Sequence, residues 1–322
     1  MNFWSEVLPS GREFQLNLNL NHPSILPGAQ GVVESILFQG GKLFRPRLCF
    51  MMAEAIQLPF ENIAAYARVA ELVHGATLAH DDVIDQATER RKKLTLNSRL
   101  TQARAVLAGD LMLSRAMVEL STLGNTAILN RMAEVLEDLV TGEWLQLENR
   151  GFLEVSEMAL EVIARYKTAS MIEWCVEVPF HLMNSDSKTI SIARKFGRAL
   201  GLAFQYRDDC LDFSLDSGKP FAQDLSEGLI NQVTFILIKE NPNFKHFIRS
   251  FMESENEIER GSFLKQVGEL KLNQAIAQVK EKATREVQFA KEALRELEQL
   301  SLNKSSFMHL DVLLLELLER KG

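Results

Sequence analysis

Ile63-Ala-Ala-Tyr66-Ala67-Arg-Val69-Ala70-Glu-Leu72-Val73-His74-Gly-Ala76-Thr77-Leu78-Ala-His80-Asp81-Asp82-Val-Ile84-Asp85 is the stretch on which the fold turns. Ile63, Tyr66, Ala67, Ala70, Val73, Thr77 and Ile84 recur with helical spacing, while Val69, Leu72, Ala76 and Leu78 fill other faces. A helix apolar nearly all round belongs inside a protein. The flanking sequence extends the reading, since none of the eight prolines lies in 60–178, 180–219 or 243–322, and proline is the residue that most reliably ends helices. Ser187–Asp212 repeats the inner-helix pattern with Ile192, Ala193, Phe196, Ala199, Leu200, Ala203 and Phe204, whereas 253–303 alternates Glu, Lys and Arg with Leu, Val and Ala, as outer amphipathic helices do. A continuous helix over 60–178 would be roughly 180 Å long at about 1.5 Å per residue. The chain must therefore fold back, and Gly109, Gly124-Asn125, Gly142 and Gly151 are the places for caps, turns or close packing. The expected fold is all-α, one domain over 1–322, with an irregular arm at 1–28 holding Pro9, Pro23 and Pro27 and a first helix near Ala29–Phe38.

The 322 residues are 46% hydrophobic and 25% charged, which excludes a disordered or fibrous chain. A net charge of −7 argues against nucleic acid as a partner. Cys49, Cys175 and Cys210 are far apart, without the spacing of a zinc site or a disulfide framework, so a reducing cytoplasm is expected. No apolar run is long enough to span a bilayer, and no secretory signal is readable at the start.

Chemistry concentrates at the ends of the two inner helices, Asp81-Asp82-Val-Ile-Asp85 and Asp208-Asp209-Cys-Leu-Asp212. Residues four apart share a helix face, so Asp81 points with Asp85, and Asp208 with Asp212. Chance supplies such a pattern about 0.02 times in a chain of this composition, whereas here half of the twelve aspartates sit in two copies. Crowded carboxylates need cations, and hard oxygen ligands suit Mg²⁺. Basic residues accompany them: Gly40-Gly41-Lys42-Leu-Phe-Arg45-Pro46-Arg47, Arg90-Arg91-Lys92-Lys93, Lys167 before Thr168, and Lys219 after Gly218. Arg and Lys grip phosphate oxygens, so the pattern reads as a metal-bridged diphosphate site beside a second, metal-free anion site. The motifs hold six of the 43 acids, and against 36 bases this leaves an excess of one elsewhere.

In this order the motifs resemble those of the trans-isoprenyl diphosphate synthases, the polyprenyl synthetase family. The likeness runs from Gly40-Gly41-Lys42 through His74 to Asp85, Arg90-Arg91, Ala108-Gly109-Asp110, Gly142-Glu143 and Lys167-Thr168. It continues with Phe204-Gln205, Asp208 to Asp212, Gly218-Lys219, Asp224-Leu225 and Glu227-Gly228. The resemblance implies the isoprenoid synthase fold, a helical bundle around a deep central cavity. It implies head-to-tail condensation of an allylic diphosphate with isopentenyl diphosphate, three Mg²⁺ ions, and a homodimer. By position Asp81, Asp85 and Asp208 would be the principal metal ligands, with Asp82, Asp209 and Asp212 direct or supporting. Arg90, Lys167 and Lys219 match residues that hold the allylic diphosphate. Lys42, Arg45, His74 and Arg91 match those that hold isopentenyl diphosphate, and Thr168 and Gln205 those that stabilise the allylic cation. The remaining histidines, His80 among them, take no functional reading.

Ala76 and Thr77, five and four residues before Asp81, are small where bulky aromatics close the pocket of short-chain relatives. The likeness is to long-chain synthases, with a hexaprenyl-to-decaprenyl product grown from farnesyl or geranylgeranyl diphosphate. Trp174, bulky where small or apolar residues are common, points the other way, to a short-chain product; Glu173 beside it is equally unusual. Other departures are Lys92-Lys93-Leu94 in place of Gly-x-Pro, and Leu229, Asn231 and Val233 where Lys, Thr and Pro are usual. A terpene cyclase would carry a different second metal motif, and a non-catalytic partner subunit of a heteromeric synthase would typically lose acidic motifs that this chain keeps.

Overall fold

The structure, a computed structural model, describes residues 3–8, 10–17, 29, 31–33, 37, 43–85, 89–90, 93–94, 101–214, 220–253, 258–300 and 307–319, without the side chains of 3–7, 14–17, 89–90 and 93–94. It is an all-α fold with two small hairpins. By compactness the chain divides into two units. The first comprises Met1–Ala133, Trp174–Ser191 and Leu297–Leu310, the second Glu134–Glu173, Ile192–Glu296 and Asp311–Gly322.

The first unit opens with strands β1 (Phe3–Val7) and β2 (Glu13–Asn17), paired antiparallel with Phe3 opposite Asn17 and Val7 opposite Glu13. Part of the arm expected to be irregular is thus a hairpin. Its turn is closed by Leu8 N–H to the Arg12 carbonyl (2.8 Å), with Gly11 at φ +82°, a conformation costly for any residue with a Cβ. In the segment expected as a first helix, residues 29, 31–33 and 37 are described, and all are helical. Helix α1 (Phe44–Ala55) carries Pro46 in its first turn, where no backbone donor is lost. Helix α2 (Phe60–Ile84) packs on α1 and on α3 (Gln102–Leu123), and the short strands β3 (Glu89–Arg90) and β4 (Lys93–Leu94) follow it. Ile63, Tyr66, Ala67, Val69, Ala70, Leu72, Val73, Ala76 and Ala79 of α2 are all buried, so it is the inner helix its composition demands.

Helix α4 (Thr126–Asn149) leads to α5 (Glu157–Ala164), a π-helical turn (Arg165–Ala169) and α6 (Ser170–Leu182). Pro179 does not end α6, which continues to Leu182, although a proline past the first turn removes one helical N–H donor. The second inner helix is α7 (Ser187–Leu211). After it come α8 (Gln223–Ser226), α9 (Gln232–Glu240), α10 (Phe244–Met252) and α11 (Arg260–Val267). Helix α12 (Glu269–Leu300) buries Leu272, Ala275, Val279, Ala283, Val287, Ala290, Leu294 and Leu297 along one stripe, as an outer amphipathic helix does, and α13 (Met308–Glu319) completes the described chain.

Candidate functional site

In the second unit the π-helical turn is the organising feature. Such turns insert an extra residue into a helix, re-aim its side chains, and recur at functional sites. This one presents Lys167 and Thr168, and both neighbouring helices approach it at a glycine. A Cβ on Gly142 of α4 would lie 2.8 Å from Lys167 Cγ, and one on Gly201 of α7 only 2.5 Å from Ala169 Cα. The approach lets Glu143 pair with the Lys167 ammonium. It also lets Thr168 Oγ1 donate to Gln205 Oε1 (2.7 Å), which turns the amide nitrogen toward Asp209 Oδ1 (2.9 Å).

The last turn of α7 is wrapped in further donors. Asp209 Oδ2 accepts the backbone N–H of Gln232 (3.0 Å), whose side-chain oxygen accepts from Lys282 Nζ (2.7 Å). Asn231 donates to Asp212 Oδ2 (3.3 Å) and Asp224 Oδ2 (2.9 Å), and the Asp224 N–H donates to Asp212 Oδ1 (3.3 Å). Asp209 and Asp212 are buried, and Asp208 is half-buried. Burial, then the charges of Asp224 and Asp208, push the Asp209 carboxyl up to about 7 against the pull of its two hydrogen bonds.

In the first unit α2 carries His74, Ala76, Thr77 and the first motif. Ala76 is fully enclosed; Thr77 is half-buried and donates to the His74 carbonyl (2.8 Å). Asp82 is buried, whereas Asp81 and Asp85 are half-buried. His80 lies against Gly109 of α3, where a Cβ would fall 2.6 Å from the ring Cδ2, and its Nε2 stands 3.3 Å from Asp110 Oδ1. Gly109-Asp110 thus seats the residue just before the first motif, the close packing expected at Gly109. Arg45 is held below its usual pKa by burial, opposed by Glu71 and Cys175, and its Nε has no hydrogen-bond partner among the described residues. A half-buried, incompletely paired guanidinium suits an anion. Trp174 is completely enclosed, its Nε1 3.5 Å from the Ile128 carbonyl. In the second unit, buried Glu173 is matched by Arg198 through Nε (2.8 Å) and Nη2 (3.3 Å). Lys42, Arg91 and Lys219 lie outside the described residues; Arg90 is described only as backbone in β3.

Each motif places three carboxylates at a helix C-terminus with no basic residue in the last turn. That end of the helix dipole is negative and favours cations. Among the described residues no three His, Cys, Asp or Glu side chains stand as a ready-made metal cage.

Gly201, Gln232 and Lys282 were absent from the sequence reading. Gly201, one turn before Gln205, carries a spacing signal; Lys282 is far along the chain on a helix of ordinary surface composition and carries none.

The polyprenyl synthetase family model matches residues 28–267. The mouse all trans-polyprenyl-diphosphate synthase PDSS1 is 38% identical over 235 residues, 68% of this chain and 56% of its own length. The chain thus spans little more than half of that relative. A Synechocystis prenyl transferase is 30% identical over 90% of this chain and 88% of its own. A Caulobacter crescentus polyprenyl synthase, solved with calcium and isoprenyl diphosphate, superposes with a TM-score of 0.84 at 25% identity, covering 95% of this chain and 92% of that one. With two acid-ended inner helices, a π turn carrying Lys167-Thr168 and a family match over three quarters of its length, the chain belongs to the polyprenyl synthetase family.

Proposed function

We propose that the chain condenses farnesyl or geranylgeranyl diphosphate head-to-tail with isopentenyl diphosphate, releasing diphosphate and making a long-chain all-trans polyprenyl diphosphate. The observation that carries the reading is the run Thr168 to Gln205 to Asp209 on the π turn. It fixes two neutral oxygens, a hydroxyl and an amide carbonyl, beside an acidic helix end, where a developing carbocation is stabilised without being trapped by a nucleophile.

Mg²⁺, three ions in the full complement, supplies charge for the departing diphosphate when bound. Asp81, Asp85 and Asp208 are the half-buried carboxylates suited to hold it; Asp82, Asp209 and Asp212, being buried, orient them or join them. Lys167, Arg90 and Lys219 hold the allylic diphosphate. Arg45, His74, Lys42 and Arg91 hold isopentenyl diphosphate, whose proton passes to a released diphosphate oxygen. The small, half-buried side chain of Thr77 leaves room for a growing chain, while Ala76 beside it is fully enclosed and the fully packed Trp174 belongs to the core. A homodimer fits the exposure of Leu107 (65%) and Val118 (54%) on α3. The three cysteines, buried and without disulfides, suit the cytoplasm. Among the described residues no helix is long and apolar enough to cross a membrane.

Incubation with Mg²⁺, farnesyl diphosphate and labelled isopentenyl diphosphate, followed by chromatography of the products, tests the reading. Label in chains of six to ten isoprene units supports it. A folded protein that incorporates nothing points instead to a non-catalytic partner, and a stop at geranylgeranyl would make the enzyme short-chain.

A further inference from the structure

We infer that Asn231 is a positioning residue that fixes Asp212, the last carboxylate of the second motif, by bridging it to Asp224; the inference rests on the diphosphate-synthase reading above. Asn231 is buried at the N-cap of α9. Its Oδ1 accepts the Thr234 N–H (3.0 Å), an ordinary capping bond that also settles which way the amide points. Nδ2 therefore faces the carboxylates, with Asp212 Oδ2 at 3.3 Å and Asp224 Oδ2 at 2.9 Å. Two acids brought to one amide, Asp212 buried and Asp224 half-buried, repel each other, and a two-donor nitrogen between them offsets that repulsion while setting both side-chain angles.

A threonine in this place would offer one hydroxyl. It can cap the helix and donate once, but cannot serve two acids. Asparagine does all three. The backbone acts in the same direction, since the Asp224 N–H reaches the other oxygen of Asp212 (3.3 Å) and the next residue, Gln232, gives its N–H to Asp209 (3.0 Å). The start of α9 is thus a clasp on the second motif, and Asn231 is its side-chain member. Partners of this outer kind orient metal-binding carboxylates and typically change metal affinity when lost.

Two substitutions separate the clasp from the cap. N231D keeps an oxygen for the Thr234 N–H but loses both donors, whereas N231A loses cap and clasp together. Calorimetric titration with Mg²⁺ plus inorganic pyrophosphate, on the full chain without prenyl substrate, should show both variants binding roughly tenfold or more weakly than the natural chain. N231A should also lower the unfolding midpoint of the metal-free protein through cap loss, and N231D should lower it through a third carboxylate beside Asp212 and Asp224. In turnover assays N231D should raise the Mg²⁺ requirement and the KM for farnesyl diphosphate more than it lowers kcat at saturating Mg²⁺. Binding by N231D equal to that of the natural chain overturns the clasp and leaves Asn231 a cap. If N231D does not fold, N231S, with a cap oxygen and one donor, carries the test, and unchanged pyrophosphate binding in it has the same force. A natural chain that binds no Mg²⁺-pyrophosphate overturns the synthase reading itself, a result distinct from either variant outcome.

Discussion

The two aspartate motifs share a spacing and a helix end, and the described contacts beside them differ in kind. At the end of α7 the fixing agents are hydrogen bonds: Gln205, Gln232 and Asn231 donate to Asp209 and Asp212 from the same helix and from the start of α9. At the end of α2 the marked feature is steric: the His80 ring occupies the space left by Gly109 on α3. A network of donors is directional and sensitive to single atoms, whereas a ring on a glycine is sensitive to volume. The surroundings of Asp209 and Asp212 should therefore respond most to polar substitutions, and the seat of His80 on Gly109 to bulk.

The largest test asks whether the two ends act together at all. D81N and D208N each remove a half-buried carboxylate from one motif, and each should lower kcat by about 10²–10³-fold, the usual cost of losing one preorganised electrostatic group. Steady-state rates at saturating Mg²⁺ decide it. A D81N enzyme with full activity would reduce the first motif to a solvated helix end and leave the chemistry to the second.

Next in size are the glycines. Alanine at 201 drives a Cβ to 2.5 Å from the Ala169 backbone, which can move only by shifting the π turn that holds Thr168. G201A should lose about 1–3 kcal/mol in denaturant unfolding, as overpacking does, with a matching fall in kcat. Alanine at 109 meets only the end of the His80 ring, which can rotate away. G109A should be milder and should be relieved by H80A in the double variant. If the two substitutions cost the same, or H80A gives no relief, the steric account of the first motif fails.

These contrasts also show how far the sequence reached. The inner helices announced themselves because α2 and Ser187–Asp212 are apolar on more than one face, and helical periodicity is local. Asp-x-x-x-Asp spacing is local too, so both acidic ends were readable. The hairpin at 3–17 was not: its turn residues read equally as an irregular arm, and strand pairing is a contact across the turn. The π turn left no trace because one inserted residue does not disturb composition. Asn231 showed only as a departure, since its meaning lies in Asp212 and Asp224, brought to it by the path of the chain. Lys282 reaches Gln232 from α12, a contact no local pattern encodes.

A smaller, qualitative effect concerns product length and belongs to α2 alone. Thr77 is half-buried while Ala76 is fully enclosed, so T77F adds bulk where there is room and A76F would overpack the core. T77F should shift the product distribution toward shorter chains, with the unfolding midpoint nearly unchanged, both read from the same preparation. An unchanged distribution would remove Thr77 from the wall of the growing chain.

The smallest expected effect tests the polar surroundings of the second motif at a distance from its carboxylates. Tyr206, two residues before Asp208, is buried, and its hydroxyl is pushed up first by burial and then by Glu161 and Glu286; the equivalent place before Asp81 is the buried, neutral Ala79. Glu286 shares this environment, and burial followed by the charge of Glu161 raises its carboxyl from the ordinary 4.5 to about 6, against Arg285. The native state therefore binds more protons than the unfolded chain between those values. The stability this contributes is complete below pH 4.5 and is lost as pH rises through about 6. Because Glu286 is only half-buried, solvent screens much of the effect. E286Q stays neutral throughout, so its unfolding midpoint, followed across that window at fixed ionic strength, should fall less with rising pH than that of the natural chain. A neutral change on the exposed face of α2, such as E61Q, should leave the slope alone. Equal slopes in E286Q and the natural chain would mean that water already reaches the carboxylates around Tyr206, and that the polar shell of the second motif ends at Gln232 and Lys282.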